Sequence, residues 1–207
     1  NNDPRNRIIT RFIVDSILPD YYNIHQALAY EEYYTDPLQK QEYIKIADKM
    51  LVIVNIKFGY TVVYFLFDND DNILDIKRSS SFKQYIISRK KISWKGIIAI
   101  KEVRGFGGNR FQGQHDYVYT VTDKLKDVFS LETKLFGYIP AGDECFGDFM
   151  LRNYKRIDNL RFQITEKEGI CGCDDSLDQI RPLRKPETKT YIATEEELLA
   201  DYRGLFY

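Results

Sequence analysis

Apolar residues recur at helical spacing along the first quarter of the chain and in alternation along most of the rest, and this change of period organises the expected elements. Asp3-Pro4 supplies an N-cap and a proline for the first helical turn. Ile8, Ile9, Phe12, Ile13 and Ile17 follow at steps of one face, which predicts a helix that stops near Pro19. Ile24, Leu28 and Glu31 or Glu32 fall on successive turns of a second helix from Asp20 to Tyr34, and Asp36-Pro37 repeats the cap before a third. Between Tyr43 and Phe58 both periods fit. Ile44, Ala47, Leu51 and Val54 suit a helix, whereas Met50, Val52, Val54 and Ile56 suit a strand, so a helix is expected to give way to a strand at about Leu51.

From Tyr60 onward β-branched and aromatic residues are punctuated by turn residues. Tyr60 to Phe67 and Ile73 to Lys77, joined by Asp68-Asn69-Asp70-Asp71-Asn72, read as a hairpin. Further strands are expected over Gly96 to Arg104, Asp116 to Thr122, Val128 to Ile139, Asp148 to Tyr154 and Asn159 to Thr165. Strands that succeed one another without a helical crossover form antiparallel sheets. The expectation is therefore an α+β fold, with N-terminal helices packed on a mostly antiparallel β-sheet. It forms a single domain over 1–207: 1–50 mainly helical, 51–166 mainly β, and 167–207 an irregular tail around Pro182 and Pro186 with a short helix capped at Thr194.

Composition narrows the function classes. The chain has 207 residues, 43% of them hydrophobic, with 16 Tyr and 13 Phe, enough large side chains for a packed core. The 30 basic and 31 acidic residues leave a net charge of -1, so the whole molecule draws neither nucleic acid nor an anionic surface. No apolar run reaches the roughly 20 residues of a membrane-spanning helix. The opening Asn1-Asn2-Asp3-Pro4, without Met, sets an expectation of a removed export signal or lipid-anchored segment, and hence of a place in the cell envelope or outside the cell, with the cytoplasm as the alternative.

Candidate chemistry is sparse. Cys145, Cys171 and Cys173 cannot all pair; a disulfide from Cys145 to Cys171 or Cys173, or inert buried thiols, is expected. Gln114-His115-Asp116 offers an oriented base and Cys145 a nucleophile, but neighbours on a strand face opposite ways, so Asp116 is poorly placed to orient His115. Asp68, Asp70 and Asn72 start a calcium-loop spacing that fails at Ile73 and Ser79, leaving a hairpin turn as the better reading. No metal and no cofactor is expected.

The Gly105-Phe106-Gly107-Gly108-Asn109-Arg110-Phe111-Gln112-Gly113 segment lies between two strands and so reads as a loop, not a phosphate cradle. Phe106, Arg110 and Phe111 on it, with Trp94, are the candidate binding residues. Lys77 to Arg110 holds ten basic residues against Glu102 alone, a local charge of +9 that an anionic ligand could use. The leading expectation is a noncatalytic binding module for a protein or a glycan. A cytoplasmic partner-neutralising protein of the immunity type is the alternative, and a cysteine or carboxylate hydrolase, using Cys145 or a carboxylate such as Glu144 or Asp148, is the third class.

Overall fold

A computed structural model describes residues 3–17, 38–56, 62–79, 84–94, 97–107, 111–141, 144–172, 175 and 179–198. The chain divides into two compact units, Asn1–Phe82 with Thr122–Leu125, and Lys83–Val121 with Lys126–Tyr207.

The first unit opens with helix α1, Pro4–Phe12, continued by a π-helical turn over Ile13–Ile17. Asp3 caps it as its sequence predicts, its carboxylate accepting the Arg5 backbone N–H at 3.0 Å. Four strands follow in chain order and pair antiparallel with their neighbours: β1 Leu38–Ile46, β2 Lys49–Ile56, β3 Val62–Phe67 and β4 Ile73–Ser79. Ile9, Ile13 and Ile17 share one face at four-residue steps. They cluster with Val52, Val54 and Ile56 of β2 and Val63, Phe65 and Phe67 of β3, the alternate residues that one side of a pleated sheet presents. The turn between β3 and β4 is the one expected. Asp68 Oδ1 accepts the backbone N–H groups of Asp70 and Asn72, each at 2.9 Å, and Asp71 takes a left-handed φ of 63°.

The second unit is a seven-stranded antiparallel meander in chain order: β5 Gln84–Trp94, β6 Ile97–Gly107, β7 Phe111–Val121, β8 Leu125–Ala141, β9 Glu144–Arg156, β10 Arg161–Gly172 and β11 Glu187–Thr194. Thr194 then exchanges hydrogen bonds with Glu197, backbone N–H to carboxylate at 2.7 Å and backbone N–H to hydroxyl at 3.2 Å, which caps the short helical turn at 195–198.

The α+β expectation is overturned: the protein is mostly β, and α1 is its one short N-terminal helix among the described residues. The physical reason lies at Ala47-Asp48. This two-residue connection folds Leu38–Ile46 back onto Lys49–Ile56, with Ile46 opposite Lys49, so of the apolar residues that matched a helical period Ile44 sits on β1, Ala47 in the turn, and Leu51 and Val54 on β2. The third helix after Pro37 is therefore strand β1; the second, Asp20 to Tyr34, lies outside the described residues. The expected irregular tail is also partly ordered, since β10 runs to Gly172 and Glu187–Thr194 adds an edge strand to it.

Candidate binding groove

One face of the seven-stranded sheet is organised in three rows. The first is apolar and aromatic: Ala99, Val118, Leu131 and Ile164 cluster with Trp94, Phe129, Tyr154 and Phe162. The rings are close, Phe129 to Phe162 at 4.6 Å and Trp94 stacked on Phe129 at 6.1 Å, each such pair contributing about 1 kcal/mol beyond its buried area. Trp94 is thus a packing residue.

Two residues further along each strand comes a polar row: Lys101 on β6, Asp116 on β7, Thr133 on β8, Arg152 on β9, Glu166 on β10 and Lys189 on β11. Lys101 Nζ lies 2.6 Å from the Asp116 carboxylate, which also accepts hydrogen bonds from Tyr154 at 3.0 Å and Thr133 at 3.2 Å. Glu166 takes Arg152 at 2.5 Å and Lys189 at 3.3 Å. Burial opposes the ionisation of Glu166, yet its hydrogen bonds to Arg152 and Lys189 outweigh this and leave its pKa lowered. Burial, with the adjacent Asp116 charge, keeps Tyr154 protonated. The row pairs its charges within itself, Lys101 on Asp116 and both Arg152 and Lys189 on Glu166, and so fixes the sheet face.

Beyond it the face opens into a groove of about 680 Å³, within the range of ligand sites. Leu135 and Gly137 of β8, Asp148 and Met150 of β9, and Glu168 and Ile170 of β10 continue the same alternation. Register brings them side by side, Leu135 opposite Met150, Met150 opposite Glu168, and Gly137 opposite Asp148. Phe111, 57% exposed, stands at the rim, and Arg184, Lys185 and Glu187 close the other side. Three carboxylates and two cations over an apolar floor make the lining mixed in sign.

The opposite face of the same sheet buries polar groups. Glu102 is fully buried between Arg104, whose Nε it binds, and Arg89, whose Nε lies at 3.6 Å. Arg104 also stacks on the Tyr117 ring at 4.2 Å. His115 Nε2 meets the Ser130 hydroxyl at 3.3 Å, and burial, reinforced by the charges of Arg104 and Arg152 against that of Asp116, brings its pKa down to about 4. A buried neutral imidazole on a hydroxyl resembles half a catalytic dyad, but the topology withholds the other half. His115 sits beside Ser130, whereas Cys145 pairs with Pro140 at the far end of β8. The strand between them spans ~33 Å at ~3.3 Å per residue. Asp116 belongs to the other face, as strand alternation requires.

Of the remaining candidates, Phe106 lies over Gly113, whose Cβ, were there one, would come 1.9 Å from the ring. Arg110 and Cys173 lie outside the described residues, as does the Cys145 side chain. Cys171 is a buried free thiol donating to the Gly147 carbonyl at 3.4 Å, its pKa pushed up to about 11 by burial and by Asp175 and Asp148. Of the expected binding residues that are described, Phe106, Phe111 and Trp94, Phe111 alone lines the groove. Asp148, expected as a candidate hydrolase carboxylate, lines it too; the others in the groove were missed because alternation assigns residues to a face but says nothing of which strands stand beside each other. No helix of the described residues is long and apolar enough to cross a membrane. Comparison with protein-family models, curated proteins and solved structures finds no match to this chain.

Proposed function

We propose that the protein is a noncatalytic binding module that holds a segment of another protein in the groove of its second unit. The observation that carries this is the groove itself: an apolar floor from Leu135, Met150 and Ile170, an exposed aromatic rim at Phe111, and charges of both signs at Asp148, Glu168, Glu187, Arg184 and Lys185. Polypeptide offers apolar and charged groups in alternation and matches such a lining. A glycan would call for several exposed aromatic planes to stack on; the groove rim offers Phe111, while Trp94 is packed among Phe129, Tyr154 and Phe162. Nucleic acid would meet three carboxylates.

Panning a random linear-peptide library against the full chain tests the reading. Recovered peptides should lose affinity on the order of tenfold with Phe111→Ala or Asp148→Lys, about 1.4 kcal/mol, while the circular dichroism of the variants stays unchanged. Peptides indifferent to both substitutions would sink it. A place in the cell envelope or outside the cell is a separate proposal. It rests on the cysteine arithmetic, since a free Cys171 leaves Cys145 and Cys173 as the pair for a bridge. Three alkylatable thiols in protein from its native compartment would remove it.

A further inference from the structure

Among the described residues the two sheets have four edge strands, and three of them share a device. Lys40 of β1 is opposite Asn55 while Leu38 is opposite Ile56, so Gln39 is an extra residue on that edge. On β4 the same reasoning makes Leu74 the extra residue, between Ile73 opposite Phe67 and Asp75 opposite Leu66. On β5 it is Ile87, between Ile86 opposite Arg104 and Ser88 opposite Val103. Each of these edges also carries two basic residues, Lys40 and Lys45 on β1, Lys77 and Arg78 on β4, and Lys90 and Lys91 on β5. Bulges and lysines are how sheet proteins keep a free edge from accepting another strand.

β11 has no bulge and a single lysine, Lys189. Its register against β10 is unbroken through eight pairs, Arg161 opposite Thr194 to Glu168 opposite Glu187. Pro186 precedes the strand, no proline lies within it, and its one lysine is drawn onto Glu166 and Glu168. Thr188, Thr190, Tyr191, Ile192 and Thr194 give it the β-branched and aromatic composition that pairs well across strands, and Ile192 is 57% exposed.

We infer that the outer edge of β11 is a docking edge that accepts an extended segment of a partner polypeptide as an eighth strand. An edge of eight residues is too short to supply the roughly 20–30 residues a side of a stable dimer, which makes a peptide segment the occupant that fits. The added strand would gain main-chain hydrogen bonds along 187–194 and place β-branched or aromatic side chains beside Ile192 and Thr190. Glu187, which begins the strand, also lines the groove, so a segment leaving the edge at that end enters the groove's charged side.

The peptides recovered from the library are titrated against Ile192→Lys and Thr190→Lys, both at the surface, in parallel with the groove variants. Amide exchange of residues 188–194 is followed with and without peptide. The inference expects a loss on the order of tenfold with either edge lysine and slowed exchange along β11. Sensitivity to edge and groove variants together supports a segment occupying both. Sensitivity to the edge alone keeps this inference and removes the groove reading. Sensitivity to the groove alone, with exchange along β11 unchanged, overturns the docking edge and leaves the groove standing. A library that yields no binder overturns both.

Discussion

Three residues of the second unit carry consequences that can be measured singly. His115 is held neutral, its pKa lowered from 6.5 to about 4. An unfolded chain takes up a proton there before the native one does, so the stability this burial represents is complete above about pH 6.5 and is lost progressively as pH falls to about 4. The shift corresponds to about 3 kcal/mol at most, at 1.36 kcal/mol per unit. Urea midpoints should fall between pH 7 and pH 4.5, and His115→Gln, which keeps a partner for Ser130, should flatten that dependence; an unchanged slope in the variant would exclude His115 as its source. Glu102 lies between two buried guanidiniums, Arg89 and Arg104. Removing it as Glu102→Ala takes an ion-pair partner from both cations, and a loss of about 3–5 kcal/mol is expected from denaturant titration. Cys171, buried with a pKa near 11, should resist alkylation in the native protein at pH 8 and react only in denaturant.

At the scale of elements, what the sequence made legible follows from how each turn is written. The β3–β4 hairpin was visible because Asp68-Asn69-Asp70-Asp71-Asn72 is made of residues that cap their own backbone. The β1–β2 hairpin was not, because its turn is Ala47-Asp48, and Ala47 occupies a left-handed φ of 53° that glycine or asparagine normally signals. That mismatch gives a prediction. Ala47→Gly removes a left-handed strain of about 1 kcal/mol, so thermal unfolding should shift upward by about 2–4 °C; a lowered midpoint would mean the turn is not strained as its φ indicates. β5 escaped notice because its basic residues and the extra Ile87 interrupt any period of two, and β11 because an exposed edge of threonines has no apolar face to alternate. The site fared in the same way. Phe111 was legible as a large aromatic beside a glycine-rich stretch, whereas Asp148, Met150 and Glu168 become neighbours only through the pairing of β9 with β10.

For the molecule as a whole, the question is whether the +9 charge of Lys77 to Arg110 acts as one surface. Folding divides it. Arg89 and Arg104 turn to one face of the sheet and surround Glu102, while Lys101 turns to the other and binds Asp116 at 2.6 Å. Each of these cations is drawn onto a carboxylate where it stands, and the groove on the Lys101 face adds three carboxylates against two cations. A polyanion binds by displacing counterions from several phosphates or sulfates at once, which needs cations gathered on one surface. With a net charge of -1 and its basic segment split between faces, the full chain should leave a heparin column before about 0.15 M salt, where exposed charges are screened beyond ~8 Å. Lys90→Glu with Lys91→Glu should change that elution little. Retention well above this salt, abolished by the same pair of substitutions, would instead make the β5 edge an anion-binding surface and turn the choice of partner from a polypeptide segment to a polyanion.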